Sequence, residues 1–301
     1  MNKEKFFIAI GPQKTGTTWL HHNLNKHPSV SLPKDKEIRY FSAKAAFKNN
    51  NFVTNLFGKD WHYKDKRYKF SLAIKREFNK FIKHKRFSIS NLKWHSKYFF
   101  GTQNDQWYES LFDDTKLSGD VTPIYCELSD EYLEKIKKLI PNVKIIISLR
   151  DPVEREWSRA KMNLMRNHGK DKMEDVSPED FSKHFKSEIS KKLNDYSSLI
   201  KKWKKVFDDE HLFVFHYDEL QEEPQILFDK ICDFLNIPRQ LINDISIKIN
   251  ETIDHKIPEI YLNELIDLNY NYIEDYAKNH PNKYSQRWLN RYREKQLSKS
   301  Y

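Results

Sequence analysis

The sequence predicts an α/β fold of three layers, in which a central parallel sheet of about five strands is flanked by helices. Strand candidates lie at 6–10, 30–32, 117–121, 143–148 and 212–216. Segments of helical periodicity lie at 19–26, 130–139, 187–207 and 258–278. This alternation is typical of parallel strands joined by crossover helices. The β-branched run VKIIISL at 143–149 also suits a strand that is buried on both faces.

The first strand candidate runs directly into a glycine-bearing turn and a helix, in the segment FFIAIGPQKTGTTWL at 6–20. Gly11 and Gly16 allow the backbone to turn tightly, and the amides at the start of the helix point towards an anion. Nucleotide triphosphatase loops place a lysine directly after the second glycine. Here Thr17 follows Gly16, and the nearest lysine is Lys14. The segment therefore predicts a phosphate site whose cation lies inside the turn.

A second anion-binding motif follows the buried run at 143–149. Arg150 stands at the end of this strand candidate and is followed by DPVEREWS, which places Ser158 in the next helix. Ligands of open α/β sheets gather at the carboxyl ends of strands, and an arginine fork with a hydroxyl suits a phosphate dianion. The alternative is that Arg150 is a solvated strand end and Ser158 an ordinary helix residue.

These two motifs resemble those of the sulfotransferase family, whose phosphate loop has the pattern P-K-x-G-T-T-W and binds 3′-phosphoadenosine 5′-phosphosulfate, abbreviated PAPS. Here the pattern starts at Pro12, and one additional residue, Gln13, separates the proline from the lysine. The resemblance implies that the loop residues hold the donor, namely Lys14, Thr15, Gly16, Thr17, Thr18 and Trp19. The family pattern R-x-P-x-x-R-x-x-S also matches, and it implies that Arg150 and Ser158 bind the 3′-phosphate.

The resemblance covers nearly the whole chain at low identity and is weakest at 43–105. It implies a P-loop-like fold and sulfuryl transfer in which Lys14 neutralises charge on the bridging oxygen. Adenosine 3′,5′-bisphosphate, abbreviated PAP, would be the product, and no metal would be required.

The segment PKDKEIRYFS at 33–42 resembles the K-E-x-x-[FY]-F stretch of carbohydrate sulfotransferases. This resemblance implies that Glu37 is the catalytic base, which takes the proton of the acceptor. Alternatively, Glu37 only forms a salt bridge with Lys36 or Arg39. Other branches of the family use a histidine as the base, and the candidates for that role here are His62, His84 and His95.

Three positions depart from the family patterns. Heparan-type members have histidine where this chain has Arg39, and lysine where it has Val121. These departures argue against heparan sulfate as the acceptor. Asp120 replaces the commoner glutamate, which keeps the charge on a shorter side chain.

With 301 residues and 38% hydrophobic content, the chain can bury the core of one domain, and we predict that 1–301 form a single domain. No apolar run approaches the roughly 20 residues of a membrane span. Because only five residues precede the first strand candidate, we expect no signal peptide. Cys126 and Cys232 indicate no disulfide framework. We therefore expect a cytoplasmic enzyme, unless a membrane anchor has been removed.

The net charge of +10 is concentrated in one segment. Residues 59–100 contain thirteen Lys and Arg, three Asp and Glu, and eleven aromatic residues. Phe78, Phe81 and Ile82 fall on one helical face, which favours packing in a core. We interpret 43–105 as an insertion or lid within the domain, whose lysines face water. The same segment could instead bind an anionic acceptor or a membrane surface, whereas a nucleic-acid partner is not expected because no reader motif is present.

Together these patterns predict transfer of a sulfuryl group from PAPS to a hydroxyl, or as second choice an amine, of a glycan or small-molecule acceptor. One alternative is an adaptor for polyanions or membrane surfaces on a degenerate nucleotide-binding fold. Another is a P-loop nucleotide kinase, which the missing lysine after Gly16 disfavours. The identity of the acceptor and the oligomeric state do not follow from these residues.

Overall fold

A computed structural model describes residues 1–42, 61–84, 88–167, 176–245 and 256–297, with the single positions 53, 57 and 59. Its centre is one sheet of five strands in the order β2-β3-β1-β4-β5, and every pairing in it is parallel. The strands are β1 Phe6–Ile10, β2 Val30–Ser31, β3 Leu117–Val121, β4 Lys144–Leu149 and β5 Leu212–His216. The predicted fold class, a parallel sheet flanked by helices, is confirmed.

The central strands are buried on both faces because helices cover the sheet on each side. Along β1, Phe6, Ile8 and Ile10 belong to one hydrophobic cluster, whereas Phe7 and Ala9 belong to the other. This alternation follows from the two-residue period of a strand. It explains why β1 reads as a continuous apolar run rather than as an alternation of apolar and polar residues.

The helices match the predicted segments closely, with one exception. In chain order, they are α1 Thr17–Leu24, α2 Trp61–His84, α3 Ile89–Phe100, α4 Asp105–Glu109, α5 Asp130–Leu139, α6 Pro152–Asn167, α7 Pro178–Phe185, α8 Glu188–Asn194, α9 Tyr196–Lys204, α10 Tyr217–Glu222, α11 Pro224–Leu235, α12 Glu259–Asn279 and α13 Lys283–Leu297. The single helix predicted at 187–207 is wrong. Asp195 leaves the helical conformation, and its carboxylate caps α9 by accepting a hydrogen bond of 3.0 Å from the backbone N–H of Ser198.

The register of the sheet brings several loops to one edge. Ile10 of β1 is level with Ile147 of β4, and Leu149 of β4 is level with His216 of β5. The residues that follow these strands therefore meet at the carboxyl edge, where β1 lies between β3 on one side and β4 on the other. This is the place where open α/β sheets bind ligands.

The basic segment forms two packed helices in its described part. Phe70 of α2 contacts Phe99 and Phe100 of α3 edge to face, with ring centroids 6.0 and 4.7 Å apart. The predicted core packing of the phenylalanine face is wrong for two of its members, since Phe78 and Ile82 are exposed. The side chain of Phe81 and most of 43–60 lie outside the described residues. In the part of the chain that the structure describes, no helix combines the length and apolarity needed to cross a membrane.

Candidate active site

We call residues 11–18, between β1 and the first turn of α1, the phosphate loop. Its backbone is left-handed at Lys14 and Gly16, with φ of 76° and 96°. A Cβ atom at Gly11 would lie 2.4 Å from the carbonyl oxygen of Ser148, and one at Gly16 would lie 2.8 Å from Leu220. Both glycines are therefore required by close contacts as well as by the turn. The loop is a backbone cradle at the start of a helix, as the sequence predicts.

Thr15 of the phosphate loop and Trp19, which follows the loop in α1, fasten this region to the core. The Thr15 hydroxyl lies 2.6 Å from the Ser148 hydroxyl and donates to the carbonyl oxygen of Pro12 at 2.8 Å. The Trp19 indole N–H donates to the carbonyl oxygen of Ile245 at 2.7 Å, and both side chains are buried. These contacts give Thr15 and Trp19 a structural role, while their predicted contact with a donor stays a prediction.

Positive charges cluster around the phosphate loop. Burial lowers the pKa of the Lys14 ammonium, and the nearby charges of Arg150 and Lys161 lower it further. Three cations in mutual repulsion favour an anion between them. Sequence reasoning missed Lys161, which lies three residues after Ser158 and so shares its face of α6.

Arg150 is held at the end of β4 with part of its hydrogen-bonding capacity unused. Its guanidinium lies 4.5 Å from the centre of the Tyr217 ring, and Nη2 donates to Glu154 at 3.2 Å. The buried Nε has no hydrogen-bond partner among the described residues. A buried unpaired donor is costly, so this atom is suited to an anionic ligand. Ser158, the second residue of the predicted pair, is buried in α6.

The loop after Arg150 is braced by the last helix of the described chain. The buried carboxylate of Asp151 accepts hydrogen bonds from Arg291 at 2.9 Å and from the Tyr292 hydroxyl at 2.7 Å, both in α13. Burial raises the pKa of Asp151 to about 7, and the nearby Glu154 charge acts in the same direction. Sequence reasoning missed this brace, because nothing local relates residue 151 to residues 140 positions later.

We call residues 33–42 the base loop, because it carries the predicted base, Glu37. Glu37 and Arg39 both have left-handed backbones, with φ of 64° and 60°. Arg39 donates to Glu37 Oε2 from Nη2 at 2.5 Å and from Nε at 3.2 Å. The ion pair considered as an alternative is therefore present. It occupies one carboxylate oxygen and leaves Oε1 on the side of Lys36, whose Nζ is 4.0 Å away.

Lys36 joins the base loop to the phosphate loop. Its Nζ donates to the Thr18 hydroxyl at 3.0 Å and lies 3.4 Å from the Thr17 hydroxyl. Burial lowers the pKa of Lys36, and the Glu37 charge partly opposes this effect. The structure thus brings Glu37 together with Thr17 and Thr18 through one ammonium. The sequence predicts Lys36 only as a possible salt-bridge partner of Glu37. Its contact with the phosphate loop was not predicted, and its position directly before Glu37 is the one sequence feature that points to a role at the site.

A buried carboxylate at the end of β3 holds the backbone of the base loop in place. Asp120 accepts hydrogen bonds from Thr122 at 2.6 Å, Tyr125 at 2.9 Å and Tyr108 at 3.2 Å, and from the backbone N–H of Ile38. Burial raises the pKa of Asp120 to about 6, against the opposing effect of these hydrogen bonds. Because Ile38 lies between the two left-handed residues, Asp120 fixes the backbone that carries Glu37.

Histidines offer a second set of candidate bases. The side chains of His62 and His84 lie outside the described residues. His95 is buried, with Nδ1 3.7 Å from an oxygen of Asp35. His21, which sequence reasoning did not consider, lies in α1, and burial followed by the charges of Lys36 and His22 lowers its pKa to about 4. Its position near Lys36 makes it the histidine whose electrostatic surroundings overlap those of Glu37.

Among the described residues, one cluster of potential metal ligands occurs, and it lies far from the phosphate loop. Asp208, Glu210 and His211 bring three ligand atoms within 4.8 Å of one another, around the short 3-10 helix that precedes β5. This is the amino edge of the sheet, opposite the phosphate loop. The expectation that the active site uses no metal stays a prediction.

The chain was compared with known proteins. A model described as the sulfotransferase family matches residues 6–240, which is more than half of the chain. The membrane-associated sulfotransferase kil1 of Dictyostelium discoideum is 28% identical over 153 residues, which make up 51% of this chain and 22% of that protein. The chain therefore covers only a minor part of this relative.

Solved structures show the same fold. A sulfotransferase from Alicyclobacillus acidocaldarius superimposes with a TM-score of 0.58 at 18% identity, covering 92% of this chain and 96% of that one. The sulfotransferase domain from the curacin biosynthetic pathway gives a TM-score of 0.51 at 17% identity, covering 95% and 96%. The family match spans the phosphate loop, Glu37, Arg150 and Ser158, and the chain belongs to the sulfotransferase family.

Proposed function

We propose that this chain transfers a sulfuryl group from PAPS to a hydroxyl, with an amine as second choice, of a glycan or small-molecule acceptor. The observation that carries the proposal is the bridge made by Lys36. Its Nζ donates to Thr18, one of the residues predicted to hold the donor's 5′-phosphate, and lies 4.0 Å from the carboxylate predicted to take the acceptor's proton. One cation, Lys36, thus lies between the residues proposed for donor binding and the proposed catalytic base.

The residues present fit a donor with two separate phosphate groups. The phosphate loop offers helix-start amides, the Thr17 and Thr18 hydroxyls and the Lys14 ammonium to the 5′-phosphate side. At the end of β4, the unpaired Nε of Arg150 and the buried Ser158 suit the 3′-phosphate. When bound, PAPS would supply the activated sulfuryl group.

Each charged residue then has a definite task. Lys14 neutralises the negative charge that gathers on the phosphate side, and Lys36 does the same on the side that faces Glu37. Glu37 accepts the proton of the acceptor hydroxyl at Oε1, while Arg39 holds Oε2 and fixes the plane of the carboxylate. The acceptor has to approach from the side of the base loop, since the other side of Lys36 contacts the threonines.

Calorimetric titration tests the donor site directly. PAP should bind with micromolar affinity without magnesium, more tightly than adenosine 5′-monophosphate, which lacks the 3′-phosphate. Lys14→Ala and Arg150→Ala should each weaken PAP binding by at least roughly tenfold, because each removes a charge-assisted contact. The matched controls Lys34→Ala and Arg239→Ala remove exposed cations and should leave the affinity unchanged. Preference for magnesium ATP would instead favour the kinase alternative.

Turnover separates the enzyme from an adaptor. With a panel of hydroxyl and amine acceptors, the wild-type protein should transfer labelled sulfate from PAPS. Glu37→Gln should lower the rate roughly a hundredfold and leave PAP affinity nearly unchanged, because only the proton acceptor is lost. The control Glu131→Gln removes an exposed carboxylate on α5. A wild-type rate in Glu37→Gln would move the base elsewhere, with His21 as the first residue to replace.

A further inference from the structure

The outward face of α2 exposes an unusual number of large apolar side chains. Tyr68, Leu72, Ile74, Phe78 and Ile82 are between 43% and 63% exposed. The opposite face of the helix packs on α3 through the buried Ala73 and through Phe70. The exposed residues therefore belong to the side of α2 that the described fold leaves uncovered. An apolar stripe of this extent on a surface indicates a contact with something else.

Cations surround and interrupt the same stripe. Exposed basic residues of α2 are Lys64, Lys69, Lys75, Arg76 and Lys83. By sequence, α2 contains eight Lys and Arg against two acidic residues, Asp65 and Glu77. At helical spacing, Lys75 lies between Leu72 and Ile82, and Lys83 follows Ile82 directly. Apolar and basic groups thus share one face instead of occupying opposite faces.

The presence of apolar and basic side chains on one face indicates which kind of partner fits this face of α2. A polyanionic glycan would pair with the cations but would leave Leu72, Phe78 and Ile82 in water. A second copy of this chain would cover the apolar groups but would bring the α2 cations against one another. The interface of an anionic lipid bilayer accepts both, because apolar side chains enter the acyl boundary while Lys and Arg stems reach up to the phosphates.

We propose that the outward face of α2, defined by Tyr68, Leu72, Ile74, Phe78 and Ile82 with the adjacent lysines, docks on the surface of anionic membranes. The helix would lie in the plane of the interface and would not cross it. It also lies beside the base loop, since Arg76 Nη2 is 3.6 Å from Asp35 Oδ1, two residues before Glu37. If the proposed function is right as well, docking would place the acceptor side of the active site near the lipid surface.

Sedimentation with vesicles tests this proposal. The wild-type protein should bind vesicles of phosphatidylcholine mixed with phosphatidylglycerol, and it should bind pure phosphatidylcholine much more weakly. The triple variant Leu72→Gln, Phe78→Gln, Ile82→Gln should bind the anionic vesicles at least roughly tenfold more weakly. A matched triple variant, Ile189→Gln, Ile226→Gln, Leu241→Gln, removes three apolar side chains that are at least half exposed elsewhere and should bind like the wild type.

Charge reversal provides an independent arm of the test. Lys75→Glu with Lys83→Glu should also weaken binding to anionic vesicles by roughly tenfold or more, whereas Lys192→Glu with Lys201→Glu on other helices should have little effect. The proposal is overturned if the wild type does not bind anionic vesicles. It is equally overturned if the apolar triple variant retains full binding, which would point to electrostatic attraction by the whole chain.

PAP titration keeps the two proposals apart. All four α2 and control variants should bind PAP like the wild type, because the altered residues lie outside the phosphate loop and the end of β4. Unchanged PAP binding shows that a variant that loses vesicle binding is still folded. Conversely, a wild type that binds vesicles but neither PAP nor PAPS would sustain the docking proposal and refute the proposed function.

Discussion

Lys36 lies between the Thr18 hydroxyl and the Glu37 carboxylate, the two groups that the proposed transfer reaction would bring together. Its ammonium contacts the Thr18 hydroxyl at 3.0 Å, and it lies 4.0 Å from Glu37 Oε1. A cation in this place can neutralise charge that moves from the acceptor towards the donor during transfer. Because the ammonium is largely withdrawn from water, its interaction with that charge is stronger than on an exposed surface.

We predict that Lys36→Met lowers turnover roughly a hundredfold, because methionine fills the space and removes the charge. PAP affinity should change less than about threefold, since Lys14, the loop amides and Arg150 remain in place. Steady-state kinetics and calorimetry on the same preparation measure the two effects. Lys34→Met is the control, because it removes an exposed lysine from the same base loop. Equal losses of turnover and PAP affinity would instead place Lys36 in the binding of the 5′-phosphate alone.

Strands and helices differ in how far they could be predicted. Predictions for β1, β3 and β5 are correct to the residue. For β1 the reason is that a strand covered on both faces leaves a continuous apolar run in the sequence. The break between α8 and α9 was missed, since the aspartate cap at Asp195 competes with a helical pattern that continues through it. For α2, periodicity indicated an apolar face but could not show whether another element covers it.

Loops carry most of what the sequence could not show. The phosphate loop was predictable because its glycines and lysine form a recognisable local pattern. The base loop was not, because its shape depends on left-handed Glu37 and Arg39, on Asp120 accepting the Ile38 N–H, and on Lys36 reaching α1. Such contacts join residues far apart in the chain, so a local pattern carries no record of them. Arg150 and Ser158 were predicted as site residues from a motif, whereas the proximity of Lys161 to Lys14 required the structure.

The protonation of buried Asp120, which contacts the base loop, affects the free energy of unfolding of the whole protein. Its pKa is raised to about 6 in the folded chain, above the ordinary value of 3.8. A raised carboxyl pKa means that the folded protein takes up this proton more readily than the unfolded chain does. The resulting stabilisation is fully present below the unfolded pKa and is lost as the pH rises through about 6.

We predict that Asp120→Asn changes the pH dependence of unfolding. Between about pH 7 and pH 4, the free energy of unfolding of the wild type should increase by about 2 kcal/mol relative to that of the variant. Urea titrations at several pH values measure this difference, and Asp114→Asn, which removes an exposed carboxylate, serves as the control. Parallel pH profiles for the wild type and Asp120→Asn would show that Asp120 keeps its ordinary acidity despite its burial.

The brace between Asp151 and α13 bears on where the smallest working unit of this chain ends. The match to the sulfotransferase family stops at residue 240, after both phosphate motifs have been passed. Arg291 and Tyr292 nevertheless hold the residue next to Arg150, and Trp288 and Tyr276 are buried in the same core cluster as β4. The region that matches the family model is therefore shorter than the region that folds as one core. A fragment trimmed to the matched region would keep every motif residue but would lose the side chains of α13 that hold Asp151 next to Arg150. The extent of the family match is therefore an unsafe guide for shortening this protein.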